Sequence, residues 1–420
     1  MRPLPPLPDW LKLEHQVAHI LTEQENHGWY FDESLARSLE SALRREYEET
    51  SELLRNRHPF VSGSLFTPKR NNRTKGYVAG ATFTKLKALN PTSRDHISWI
   101  QTTHYGWKAL LTTSMGKPVI NETVLKDIGT DIALQFLKLL DLTKQLGMIS
   151  EGVNAWQKLV TTSSRIHHQC SVATSTFRCA HSKPNLSQVP SDERFRQLFT
   201  ASPNKVLVGA DLSGIELRML AHYLARYDKG RYTKILLTDD IHAVNAKRIG
   251  ISRRDVKTVT YAFLYGAGDR KIGISVDKLL SDEQAAKKGR EIRKAYVDAI
   301  PGLKELLEAV KKASERGYVL GLDKRRILVD KPHKALNYLL QGSSAILAKR
   351  WMLLAHGHLP ESAHQLAFVH DELQYECDPS DIGYMRGCLE STAIQAGKFY
   401  NMRCPVAAES QSGHTWADVH

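Results

Sequence analysis

No apolar run in the 420 residues approaches the roughly 20 needed to cross a bilayer. The opening MRPLPPLPDW is too rich in proline and too poor in apolar residues for a secretory signal. These two absences argue against a spanning or secreted protein and point to the cytoplasm, or to a host's cytoplasm for a viral source. Cysteine is scarce: five residues, an odd number at irregular spacing, oppose a disulfide framework and suit a reducing compartment. Soft ligands concentrate only at His167, His168, Cys170, Cys179 and His181. None of these forms a Cys-x-x-Cys or His-x-x-x-His pair, so the segment reads as short strands with incidental polar residues rather than as zinc. Acidic residues are outnumbered, 45 against 58 basic, and the resulting net charge of +13 calls for a polyanionic partner. Nucleic acid comes first and an anionic membrane surface second. Internal repeats and low-complexity tracts are absent.

What is present is a chain too long for one ordinary core, implying two or three domains or one multi-lobed body. A helical period over 10–27 uses Leu11, Leu13, Val17, Ile20 and Leu21 and stops at Gly28. A charged helix over 34–57 carries Leu35, Leu39, Leu43, Leu53 and Leu54 on its apolar side. Residues 58–91 read as loop, with Lys69, Arg70, Arg73 and Lys75 available to phosphates. Helix resumes over 93–107 and 122–156, with Leu134, Leu137, Leu140 and Leu146 as packing positions. A domain boundary is expected near Trp156, then short strands over 165–189, a mainly helical block to Pro301, hairpins at 318–329 and 366–376, and a helix over 335–354.

Three stretches carry chemistry. In VLVGADLSGIELRMLAHYL, the buried strand of Val206, Leu207, Val208 and Ala210 ends on Asp211, Ser213 and Gly214 turn, and a helix begins at Ile215. A carboxylate at a strand end is placed for a metal; alone, it could equally cap the helix. In SRRDVKTVTYAFLY, Ser252 and Asp255 open a helix as a capping box. Arg253, Lys257, Tyr261 and Tyr265 recur every four residues along one face, away from Val256, Val259 and Phe263. Two cations one turn apart near a helix start receive a polyphosphate, and two rings beyond them can stack on a sugar or base. In LAFVHDELQYE, His370 and Asp371 form a tight turn between apolar strands. Carboxylates fed by such strands need a cation, and Asp211 with Asp371 would offer the oxygen ligands Mg²⁺ prefers.

DLSGIELR, RRDVKTVTYAFLYG and VHDE, in that order and spacing, resemble the three signature motifs of family A DNA polymerases, the bacterial DNA polymerase I type, and most closely the replicative branch of T-odd bacteriophages. SKPNLSQVP, DIH at 240–242, ALNYLLQ, YVAGA, NPTSRDHI and EGVNAW add to the likeness. The resemblance implies an α+β right-hand fold: an N-terminal helical segment (1–33), thumb (34–154), palm (155–225 and 333–420, with an antiparallel sheet) and fingers (226–332). It implies template-directed addition of dNTPs to the primer of a primer-template DNA. Asp211, Asp371 and the carbonyl of Leu212 would hold two Mg²⁺ ions, with Mn²⁺ as substitute. Arg253, Lys257 and His242 would meet the triphosphate, Lys257 also as proton donor. Glu216 would crowd the sugar 2′ position, Tyr261 would stack beside the incoming nucleotide, and Tyr265 with Gly266 would border the template. Arg178 and Gln341 would donate into the minor groove, joined by Asn337, Asn185 and Gln188, while His370 supports the primer end.

Departures from the family pattern matter too. No Asp-x-Glu triplet occurs, and thumb-like helices begin almost at the first residue, so a 3′→5′ exonuclease is not expected in this chain. That activity would be lost, carried by a separate chain or removed, and synthesis would be distributive or rely on another partner chain for processivity. The stretch between Arg57 and Asn90 is short for a thioredoxin-recruiting insertion, which speaks against thioredoxin. Phe177 stands where glycine is usual, and Ala243 where threonine is. A single-subunit RNA polymerase is disfavoured by Glu216, and a noncatalytic DNA-binding relic by the intact Asp211, Asp371, Arg253 and Lys257.

Overall fold

The computed structural model describes residues 6–277 and 280–420. Contacts divide the chain into two units, Glu33–Lys158 and the combination of Met1–Asp32 with Leu159–His420. The helix Asp9–His27 therefore belongs to the larger unit.

The larger unit is organised on a four-stranded antiparallel sheet in the order His364–Val369, Glu372–Cys377, Val206–Leu212, Ala408–Gly413. Val206, Val208, Ala210 and Leu212 enter the main core with residues of helices Ala335–His356 and Ile382–Phe399. By strand alternation Leu207, Gly209 and Asp211 face the other side. There the turn Trp416–Val419 packs so closely that a Cβ on Gly209 would come within 2.5 Å of the Val419 carbonyl. With both faces covered, the strand reads as one apolar run; Asp211 alone in it is exposed.

Helix Ala335–His356 is apolar nearly all round because protein surrounds it. Its Lys349 is fully buried and is tolerated there because its Nζ lies 2.6 Å from Glu14 Oε2 on the first helix. Arg325, also buried, reaches the same carboxylate. Between Asp228 and Gly317 run the helices Arg231–Thr238, Ile241–Ile249, Arg253–Leu264, Asp269–Val276, Asp282–Ala299 and Leu303–Ser314. Asp240 links two of them. One of its oxygens caps the N–H groups of His242 and Ala243 at 3.0 Å, and the other accepts from Arg253 Nε at 2.6 Å.

The smaller unit packs helices Glu33–Arg57, Arg94–Tyr105, Glu122–Ile128 and Asp131–Leu146 around Leu54, Ile97, Ile100, Phe136 and Leu139. Four expectations fail here. The helix expected over 122–156 is broken at Gly129 and Thr130, resumes as Asp131–Leu146 with one wider turn over Gly147–Glu151, and stops there. Residues 58–91 are not loop throughout but contain an antiparallel hairpin, Phe60–Phe66 with Phe83–Ala88. Every residue of its second strand is exposed, so no alternation marks it in the sequence. Leu53 and Leu134, assigned to packing faces, are 47% and 46% exposed. On the first of these helices the buried stripe passes through Ala36, Leu43, Thr50, Ser51 and Leu54, which keeps Leu43 and Leu54 and leaves Leu53 to one side. Among the described residues no helix is long and apolar enough to cross a membrane, and all five cysteines are free.

Candidate active site

The two aspartates meet through strand pairing. Asp211 at the end of its strand registers opposite Glu372, the residue after Asp371, and opposite Glu409 on the other neighbour. The N–H of Leu212 donates to the carbonyl of Asp371 at 3.1 Å. His370 holds the hairpin turn with φ of +61°, a left-handed conformation. Asp211 and Asp371 thus line one cavity of about 300 Å³ with His370, Glu372, Arg196, Ser187 and Trp416.

Electrostatics in that cavity are lopsided. Protein around Asp211 limits hydration of its carboxylate although the side chain opens outward, and the charges of Asp371, Glu372, Glu216 and Glu409 add to the effect. Its pKa is pushed up to about 8. Asp371 is pushed up to about 7 by burial and then by Glu216, with Arg178 opposing. A site that holds protons this tightly at neutral pH has more negative than positive charge around the two carboxylates and favours a bound cation. Glu372 does not supply a further free ligand. Its Oε1 accepts from Gln374 at 2.6 Å and Trp416 Nε1 at 2.7 Å, and its Oε2 pairs with His420 Nδ1 at 2.9 Å. Arg196, Trp416 and His420 were not singled out in the sequence; they come from scattered positions and carry no motif. The His-Asp-Glu run was the only local signal for Glu372.

Beside the carboxylates stands the cation helix Arg253–Leu264, opened by Ser252, whose hydroxyl accepts from the Asp255 N–H at 3.1 Å. Arg253 and Lys257 are exposed. Tyr261 is half-buried, its ring centroid 6.2 Å from that of His242, and its pKa is raised by burial and by the charges of Glu216 and Asp371. At the helix end the Tyr265 hydroxyl donates to Glu216 Oε1 at 2.9 Å, the same oxygen that Arg178 Nη2 reaches at 3.3 Å.

A family model described as DNA polymerase family A matches residues 69–418. The chain belongs to DNA polymerase family A. This polymerase is 30% identical to the DNA-directed DNA polymerase of Enterobacteria phage T3 and 31% identical to that of Escherichia phage T7. Each likeness spans 97% of this chain and 70% of the relative. Family and relatives make it an enzyme, a DNA-directed DNA polymerase. The POL domain of Pol1 from M. smegmatis, solved in complex with DNA primer-template and dNTP, matches with a TM-score of 0.78 at 20% identity. That match covers 97% of this chain and 70% of the other, and it establishes the right-hand polymerase fold.

Other singled-out residues in the polymerase fall into two groups. His242 is buried with an unpartnered Nδ1, and burial lowers its pKa. His370 likewise has an unpartnered Nδ1 and a pKa lowered by burial and then by Arg178. Gly266 has φ of +71°, which ends the cation helix, and Gln188 is exposed and Gln341 half-buried. Asn337 and Asn185 carry local bonds instead. Asn337 Nδ2 donates to the Leu264 carbonyl at 2.8 Å, and Asn185 Oδ1 accepts from the N–H and hydroxyl of Ser187. Each amide is thereby oriented. Phe177 adopts φ of +60°. A left-handed residue explains why glycine suits this position; here the ring lies 4.8 Å from the Arg325 guanidinium, which holds the bulkier side chain in place.

Proposed function

We propose that the chain extends a DNA primer by template-directed transfer of deoxynucleotides, with pyrophosphate release, at divalent cations held between Asp211 and Asp371. The observation that carries this reading is that these two carboxylates, far apart in sequence, line one cavity in which burial and neighbouring acids raise the proton affinity of both. Oxygen donors short of positive charge fit Mg²⁺, with Mn²⁺ as substitute. Two such ions, also touching the Leu212 carbonyl, would acidify the primer 3′-hydroxyl and stabilise the departing pyrophosphate.

The remaining roles belong to the chain's own side chains. Arg253 leaves Asp240 for the triphosphate, a cheap exchange because the pair is exposed. Lys257 supplies a proton to the pyrophosphate and His242 contacts its phosphates. Tyr261 stacks on the incoming nucleotide, and Glu216, fixed by Tyr265 and Arg178, fills the space a ribose 2′-hydroxyl needs. Tyr265 and Gly266 border the template base; Arg178, Gln341, Asn337, Asn185 and Gln188 lie toward the duplex minor groove, and His370 backs the primer terminus. The solved relative with primer-template and dNTP supports both partners. Thumb, palm and fingers follow as residues 34–154, 155–225 with 333–420, and 226–332. Without an Asp-x-Glu triplet, the chain has no 3′→5′ exonuclease of its own; release of mononucleotides from a mispaired primer tests that.

Primer extension on an undamaged template, with Asp371→Ala as control and dATP set against ATP, tests the main reading. Extension that survives the substitution sinks it, and equal use of ATP favours an RNA polymerase.

A further inference from the structure

The hairpin Gln169–Ser171 with Ala180–Ser182 places Cys170 directly opposite His181. Opposed residues of an antiparallel pair share a face, and His168, just ahead of the strand, is brought to the same group. The outcome is a buried group remote in character from the carboxylate cavity. One ligand atom from each of His168, Cys170 and His181 lies within 4.8 Å of the others. Cys170 Sγ is 3.3 Å from His181 Nδ1, and the two imidazoles are nearly parallel with centroids 6.0 Å apart. The pairing that the linear spacing lacks is made by the hairpin.

Three observations say what this group can take. First, His168 is 0% exposed and His181 7% exposed, and each ring turns a nitrogen into the group, His168 Nε2 toward Gln24 and His181 Nδ1 toward Cys170, while its other nitrogen has no partner. Second, the group's lone pairs converge on a donor. The Gln24 amide nitrogen lies 3.1 Å from His168 Nε2 and 3.5 Å from Cys170 Sγ, so both face one electropositive centre. Gln24 is held in turn by Gln365, whose amide donates to Gln24 Oε1 at 2.8 Å. Third, the set contains sulfur and nitrogen and no carboxylate, which disfavours Mg²⁺ and Ca²⁺ and suits Zn²⁺ or Co²⁺. Burial lowers the proton affinity of both imidazoles and pushes the Cys170 thiol up to about 12, a proton that the cation must displace.

We propose that His168, Cys170 and His181 form a binding site for one zinc-class divalent cation, with water in the fourth position. Binding displaces the Gln24 amide, forms a metal–thiolate bond and releases the Cys170 thiol proton to solvent; no oxidation state changes. The cation would tie the hairpin together beside the polymerase turn, since the His181 ring stands edge-on to that of His370 at 6.4 Å. This reading does not depend on the roles proposed for the aspartates.

The test adds Co²⁺ to the chelator-treated full chain. Wild type is expected to show thiolate-to-cobalt charge transfer with the visible bands of a tetrahedral site, saturating at one equivalent and bleached by Zn²⁺. Zn²⁺ alone should raise the melting temperature. Cys170→Ser and His181→Gln should lose both responses, and Cys388→Ser, at a distant thiol, should keep both. Near-ultraviolet circular dichroism checks that each variant is folded; if Cys170→Ser is not, His181→Gln decides. Absence of the charge-transfer band in wild type, or its survival in the folded ligand variants, overturns the proposal and leaves a buried hydrogen-bond network.

Discussion

The hydroxyl of Tyr265 donates to Oε1 of Glu216 across 2.9 Å, and the same carboxylate receives Arg178. The end of the cation helix is thereby fastened to the first turn of the helix that follows the Asp211 strand. A hydrogen bond to a charged group is worth about 1.5–3 kcal/mol. Tyr265→Phe removes one of the two donors that fix Glu216, so discrimination against ribonucleotides should fall by roughly tenfold, on 1.4 kcal/mol per factor of ten. The ratio of kcat/KM for dATP and ATP measures this; an unchanged ratio removes Tyr265 from that role.

The aspartates set a pH dependence. Folded, Asp211 and Asp371 keep protons up to about 8 and about 7; unfolded, they release them near the ordinary carboxylate value of about 4. The folded chain therefore binds more protons in that window, and its stability falls as pH climbs through it. In chelator the melting temperature should decline from pH 6 to about pH 8 on this account, and millimolar Mg²⁺ should restore more of it at the upper end than at the lower. A Mg²⁺ effect that is flat across pH contradicts the proposed ligands.

Asp211→Asn ought to separate stability from activity. It removes a repelled charge, so the melting temperature without divalent ions should rise at pH 8, the reverse of what most substitutions do. Primer extension should drop by on the order of a thousandfold. Loss of stability together with activity points to a structural aspartate.

Arg253→Ala costs little in folding, because its ion pair with Asp240 is exposed at both ends and such pairs contribute about 0–1 kcal/mol. Losing a charge-assisted phosphate contact is worth more, and KM for dNTP should rise about 10- to 100-fold. Steady-state kinetics beside a thermal melt make the comparison; a variant that melts early with unchanged KM refutes it.

Phe177 offers a backbone test. At φ of +60° a side chain costs roughly 1–2 kcal/mol, while its stacking on Arg325 returns about 0.5–2 kcal/mol. Phe177→Ala keeps the strain and loses the stack, whereas Phe177→Gly loses both. The glycine variant should be the more stable of the two by about 1 kcal/mol in urea unfolding.

Local pattern was enough for the strand ending on Asp211, the turn at His370 and Asp371, and the four-residue stripe from Arg253 to Tyr265. Each is written in a few consecutive residues with period 2 or near 3.6, and the family motifs added their proposed roles. The exposed hairpin at Phe60–Phe66 and Phe83–Ala88 escaped because a strand without a buried face leaves no alternation. Leu53 and Leu134 were misplaced because a leucine count does not say which side of a helix meets its neighbour. The left-handed backbone beneath Phe177 is invisible in a phenylalanine.

Sequence by itself determined most of the elements, the exposed hairpin apart, and the kinds of side chain each one carries. Tertiary structure alone decided that Asp211 and Asp371 share a cavity, that both oxygens of Glu372 are occupied, and that His168, Cys170 and His181 face one another. Strand register and helix docking join residues remote along the chain, and they follow from burying the whole core at once, which no window of sequence contains.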